Sequence, residues 1–120
     1  MVPLAPRNDE VMNPSSHPDP ELFALLQDLW KKHLPSTHER LDLLDHAVQM
    51  ASNGHLDETV RAEAQSVAHK LSGNLGMFGY KEAGEVASDI EHTFKAPTPQ
   101  DATVLKEHLR RLRELLAAYL

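Results

Sequence analysis

The sequence predicts an all-α fold, an antiparallel up-down-up-down four-helix bundle with an additional N-terminal helix. Three observations carry this. Apolar residues recur at three- and four-residue spacing through most of the chain beyond residue 20. No segment alternates apolar and polar residues with period two, as a half-buried strand does. Proline and glycine cut the periodic stretches into segments joined by short connections, and short connections favour antiparallel neighbours.

Each element can be justified in order. Residues 1–19 hold Pro3, Pro6, Pro14 and Pro18 with little apolar periodicity, and read as a flexible Pro-rich leader to a helical domain over 20–120. Asp19 and Pro20 supply an N-cap and a first-turn proline. The helix they open has the stripe Leu22, Leu25, Leu26 and Leu29, extended by Trp30, and Pro35 is expected to end it. A second helix starts near Ser36, repeats Leu41, Leu44, Val48 and Ala51, and stops at Asn53-Gly54. The third runs from about Asp57 to Met77, and Gly79 marks a tight turn. A fourth, from about Lys81 to Phe94, turns Ala83, Val86, Ala87, Ile90 and Phe94 inward before Pro97 and Pro99 break it. The last, from about Asp101 to the end, shows Leu105, Leu109, Leu112, Leu116 and Tyr119. These last four form the bundle, and the first is a cap or side helix.

Composition narrows the function. The chain has 120 residues and no cysteine, which fits one domain, excludes thiolate chemistry and suits a reducing cytoplasm. A net charge of −6 argues against general nucleic-acid binding. No run approaches the ~20 apolar residues of a membrane span, and Arg7, Asp9 and Glu10 interrupt any secretory signal. His38, Asp42, Asp45 and His46 have helical spacing. Glu-x-x-His pairs are absent, however, and without cysteine no metal or resident cofactor is expected. The glycines match neither nucleotide-binding fingerprint, so kinase activity is not expected.

The unusual feature lies in the third helix. With His69 at zero and about 100° per residue, Val60, Ala64, Val67, Leu71 and Leu75 cluster roughly 160–240° away. Sharing the His69 face are Ala62, Gln65, Ser66, Ser72, Gly73 and Gly76, nearly all small. Each interior glycine costs a helix about 1 kcal/mol relative to alanine. Two of them beside an exposed imidazole suggest a bare surface on which another protein brings its reactive group to the ring. A hairpin about Gly79 sets His69 at the height of Ser88 and Glu91, all roughly 15 Å from the bend. Glu91 is the candidate to accept from Nδ1–H and leave Nε2 as nucleophile. That arrangement suits phosphoryl transfer, whose loose transition state depends on positioning and charge. Lys70, about 100° around the helix, and Ser72 are candidate phosphoryl contacts. Gln65, Ser66, Gly73, Gly76 and Ser88 are candidate partner contacts.

The run Ala68–Tyr80 resembles the phosphoacceptor motif of histidine-containing phosphotransfer (HPt) domains, with His69, Leu71, Gly73 and Gly79 at its positions. Gly76, Phe78 and Tyr80 add similarity to the phosphotransfer domain of chemotaxis histidine kinases. Leu29-Trp30 and Arg40-Leu41 add similarity to HPt modules of bacterial response regulators. The resemblance implies a phosphorelay intermediate with His69 as phosphoacceptor and Glu91 beside it. It also implies a partner receiver domain, of a response regulator or hybrid kinase, that brings both the aspartate and the Mg²⁺. The chain is expected to be a monomer or the N-terminal module of a larger regulator. Ser72 departs from the pattern, since many HPt domains place a lysine there. That departure keeps a second reading open, a helical module that docks a receiver without carrying phosphate.

Overall fold

The computed structural model describes residues 19–120, so the expected Pro-rich leader lies outside the described residues apart from Asp19. Four helices follow in order: α1 (Pro20–Ser52), α2 (Glu58–Met77), α3 (Lys81–Lys95) and α4 (Asp101–Leu116). Among the described residues there is no strand. Two compact units divide the chain, one ending at Lys32 and the other spanning His33–Leu120.

The first boundary differs from the sequence expectation. Pro35 does not end a helix: α1 runs through it for 33 residues, so the two predicted N-terminal helices are one. Proline removes one ladder hydrogen bond and crowds the carbonyl four residues back. Here Pro35 and Lys31 are both exposed, so water can serve the freed carbonyl. Just beyond, Thr37 is buried and its hydroxyl donates to the His33 carbonyl at 3.0 Å. Leu41 and Leu44 then enter the core, which holds the chain helical past the proline.

In the N-terminal unit, Asp19 accepts from the Glu21 N–H at 2.9 Å and caps α1 as its sequence position suggests. The apolar stripe of this segment is not core. Leu22, Phe23 and Leu25 are 46%, 55% and 54% exposed, and only Trp30 is buried.

In the second unit the ends of the helices are built from local chemistry. Gly54, at φ +74°, closes α1: the His55 N–H reaches the Met50 carbonyl and the Gly54 N–H reaches that of Ala51. Asp57 caps α2 by accepting from the Val60 N–H at 2.8 Å. Gly79, at φ +90°, repeats the glycine stop, with Tyr80 N–H on the Leu75 carbonyl and Gly79 N–H on that of Gly76. α4 ends at Leu116 rather than at the chain end, and Tyr119 is 48% exposed rather than an inward residue. Its N–H bonds the Leu116 carbonyl in a tight final turn, which swings the ring toward Tyr80, 4.7 Å away between centroids.

Contacts between helices fix their directions. Along α2 and α3, Arg61 reaches the Phe94 carbonyl, His69 meets Glu91, and Gly84 lies against Ser72 and Gly76. Residue numbers rise on one helix as they fall on the other, so the pair is antiparallel. Arg111 of α4 pairs with Glu82 of α3, and Arg113 pairs with Asp45 and, at 3.4 Å, Asp42 of α1. The fully buried side chains of this unit include Leu41, Leu44, Leu71, Leu75, Ile90, Phe94 and Leu105. Each contributes roughly 1.5–3 kcal/mol by leaving water. Val60 and Val67, expected in the α2 stripe, are only partly buried, whereas Ala64 and Ala68 are fully buried.

Candidate functional site

The helical repeat itself presents the histidine. Ala68 and Leu71 are buried in α2, and His69 lies between them on the opposite side with 74% of its side chain exposed. On α3, Ile90 is buried and Glu91 follows at the groove between the helices, with 16% of its side chain exposed. His69 Nδ1 and Glu91 Oε2 are 3.1 Å apart. An ionised carboxylate can only accept, so Nδ1 carries the proton and donates. In the neutral ring that arrangement would leave the lone pair on Nε2.

Around this pair is a shallow depression lined by Ala62, Gln65, Ser66, His69 and Glu91. Gln65 is positioned by Arg61, whose Nη1 donates to its side-chain oxygen at 2.8 Å and to the Phe94 carbonyl at 2.7 Å. The rest of the guanidinium forks onto both oxygens of Glu58, at 2.8 and 2.7 Å. This contact holds the Glu58 carboxyl below its usual range and raises Arg61 further. Arg61 therefore ties the start of α2 to the carbonyl end of α3, where a cation is favoured.

A second depression along the same groove is lined by Ser72, Gly76, Lys81, Gly84, Glu85 and Ser88. The sequence candidates thus divide: Gln65 and Ser66 lie with His69 and Glu91, whereas Ser72, Gly76 and Ser88 line the neighbouring hollow. Lys70 and Gly73 are exposed on α2 and line neither. A Cβ at Gly73 or Gly76 would meet nothing within 4 Å, so both positions open to solvent.

Three contributors were not singled out from the sequence. Gly84 is the glycine that close packing requires: a Cβ there would lie 3.2 Å from the Ser72 carbonyl oxygen and 3.4 Å from the Gly76 nitrogen. Its signal was a glycine among the inward residues of α3. Arg61 had the three- and four-residue spacing to Glu58 and Gln65 as its signal. Lys81 had none beyond its place after the turn. Elsewhere, Asp42 and Asp45 are engaged by Arg113, and the described residues contain no group of three or more His, Asp or Glu side chains placed to hold a metal.

Comparison with known proteins addresses the family. The model of the Hpt domain matches residues 28–119, spanning α1 from Asp28 through α4. This chain belongs to the Hpt domain family. That assignment brings a histidine phosphotransfer role in two-component phosphorelays, and it agrees with the resemblance carried by Ala68–Tyr80. The Hpt chain is also similar to Protein RcaC of Microchaete diplosiphon, with 29% identity over 72 residues. The match covers 60% of this chain and 11% of RcaC, so this Hpt chain corresponds to a small part of that protein. No solved structure matches it significantly. Among the described residues, no helix of the Hpt chain is long and apolar enough to cross a membrane.

Proposed function

We propose that this Hpt domain is a phosphocarrier in which His69 accepts a phosphoryl group and passes it to a receiver-domain aspartate. The observation that carries the reading is the His69–Glu91 pair, an exposed ring held at Nδ1 by a largely buried carboxylate 3.1 Å away. The Nε2 lone pair attacks the phosphorus of an aspartyl phosphate. As the N–P bond forms, the O–P bond breaks and the aspartate leaves as a carboxylate. The ring, still protonated at Nδ1, becomes cationic, and the Glu91 charge stabilises it. The reverse sequence delivers the group onward.

Positioning dominates because the transition state is loose. Lys70 and Ser72 contribute phosphoryl contacts, while Gln65, Ser66, Gly73, Gly76 and Ser88 form the surface met by the receiver. The divalent cation belongs to that partner. The chain itself has no kinase activity in this reading, holds no cofactor, and acts in the cytoplasm without binding nucleic acid or membrane. Residues 20–120 are the Hpt unit, their helices arranged as an up-down-up-down bundle, and 1–19 a leader.

Incubation with a phosphorylated receiver tests this. An acid-labile, base-stable label is expected on the wild type and not on His69→Gln. A wild type that stays unlabelled refutes the carrier reading. Label retained by His69→Gln refutes the residue. Ser72 favours one alternative, docking without transfer, because a hydroxyl supplies no charge where a lysine is common. Receiver binding with no label would select it.

A further inference from the structure

Gln65 stands one turn before His69, and its side-chain amide is oriented by a group that can only donate. Arg61 Nη1 lies 2.8 Å from the Gln65 side-chain oxygen. A guanidinium has no acceptor, so the amide oxygen faces Arg61 and the NH2 group faces away from it. Arg61 is itself anchored. It forks onto Glu58, reaches the Phe94 carbonyl at 2.7 Å, and has only 20% of its side chain exposed. The two N–H donors of the Gln65 amide have no protein partner among the described residues.

Gln65 also lines the hollow beside the imidazole. Helical side chains lean toward the N-terminus of their helix, so His69 covers the turn that holds Gln65 and Ser66. The hollow agrees: apart from Glu91 and His69 itself, its walls are Ala62, Gln65 and Ser66, all earlier in α2 than His69. Ser72, at the position where many Hpt domains place a lysine, lines the neighbouring hollow instead. We propose that the Gln65 amide donates to the oxygens of a phosphoryl group on His69, with Arg61 as the positioning residue that turns it. This rests on the carrier reading and goes beyond the receiver contact given to Gln65 there. The Arg61 cation polarises the amide through its oxygen, which strengthens the N–H donors at the other end. The phosphoryl group thereby gains part of the electrostatic support that Ser72, a neutral hydroxyl, does not supply.

The test uses the full chain, charged by a phosphorylated receiver and then separated from it, so that no receiver contact contributes. Phosphorus NMR follows the ionisation of the phosphoryl group with pH. Hydrogen bonds to the more charged form favour that form. The ionisation should therefore fall at lower pH in the wild type than in Gln65→Met, and highest in Gln65→Glu. Arg61→Met should raise it part of the way. Arg61→Lys should restore it, because an ammonium also donates to the amide oxygen. With the receiver present, the equilibrium share of label on His69 should fall about three- to tenfold in Gln65→Met. Gln65 is half-buried on the helix surface, and both replacements keep its length, so thermal unfolding should change little. A wild type that takes no label overturns the carrier reading and this inference together. A labelled wild type whose ionisation matches those of Gln65→Met and Gln65→Glu overturns this inference alone, leaving Gln65 as a receiver contact. An Arg61→Met shift as large in Gln65→Met as in the wild type also overturns it, since the cation then acts without the amide.

Discussion

Gly84 and Gly76 bring the backbones of α3 and α2 into direct contact, with no side chain between them: a Cβ on Gly84 would stand 3.4 Å from the Gly76 nitrogen. The same imagined carbon would be 3.2 Å from the Ser72 carbonyl oxygen, so it meets helical backbone on both counts. This contact lies about two turns from the His69–Glu91 pair along the same groove, and it sets how far apart the two helices run.

Gly84→Ala should therefore destabilise the protein, against the ordinary preference for alanine. Alanine's helical advantage is about 1 kcal/mol, and overpacking costs about 1–3 kcal/mol. A net loss of about 1 kcal/mol is expected as a lowered urea midpoint, with slower phosphotransfer because α3 carries Glu91 outward. A variant more stable than wild type would show that the helices part freely.

Gly73→Ala has the opposite expectation. Its Cβ would enter open space, so stability should rise by about 0.5–1 kcal/mol. If the small-residue surface receives the receiver domain, affinity for the receiver should fall at the same time. Calorimetric titration beside thermal melting separates the two effects.

Glu91→Gln keeps a hydrogen-bond acceptor beside Nδ1 and removes the charge. Bonds to charged groups exceed neutral ones by about 1 kcal/mol, so transfer to and from His69 should slow about five- to tenfold. Glu91→Ala should slow it further, with little change in receiver affinity. Unchanged rates in both variants would reduce Glu91 to a surface carboxylate.

Arg61→Ala should uncouple the helix ends. Glu58 would lose the hydrogen bond that lowers its pKa, and the Phe94 carbonyl its cation. The wild-type carboxyl titrates lower when folded, so its stabilisation is present above the ordinary pKa of 4.5 and fades as pH falls through the lowered value. Acid unfolding should lose this component in Arg61→Ala and in Glu58→Gln alike, and a difference in acid-limb slope measures it.

Tyr80 governs the alkaline side. Partial burial, with the neighbouring Tyr119 charge second, raises its pKa above the usual 10.0. The folded state thus holds the phenolic proton more tightly, and stability is complete below that value and declines as pH rises through and above it. Tyr80→Phe should flatten the decline, read from unfolding midpoints across that range.

Much of the architecture was legible because local chemistry dictated it. Asp19 as a cap, Asp57 as the start of a helix, Gly54 as a helix stop, Gly79 as a tight turn, and the leucines of α4 follow from residue type and spacing alone. Pro35 misled because its cost is local, while the burial of Thr37, Leu41 and Leu44 that outweighs it is not. Leu22 and Leu25 misled for the complementary reason: periodicity reports an apolar face without saying whether anything covers it. The site was half legible. The heights of His69 and Glu91 could be counted from the Gly79 turn, but the Gly84 contact and the Arg61 bridge depend on distances between helices.

The unroofed setting of His69 bears on time as well as on access. A phosphoryl group held there would stand in bulk water, with its persistence set by the N–P bond's own hydrolysis and not by shelter. In the proposed carrier, solvent and the next partner would therefore reach that group by the same open side.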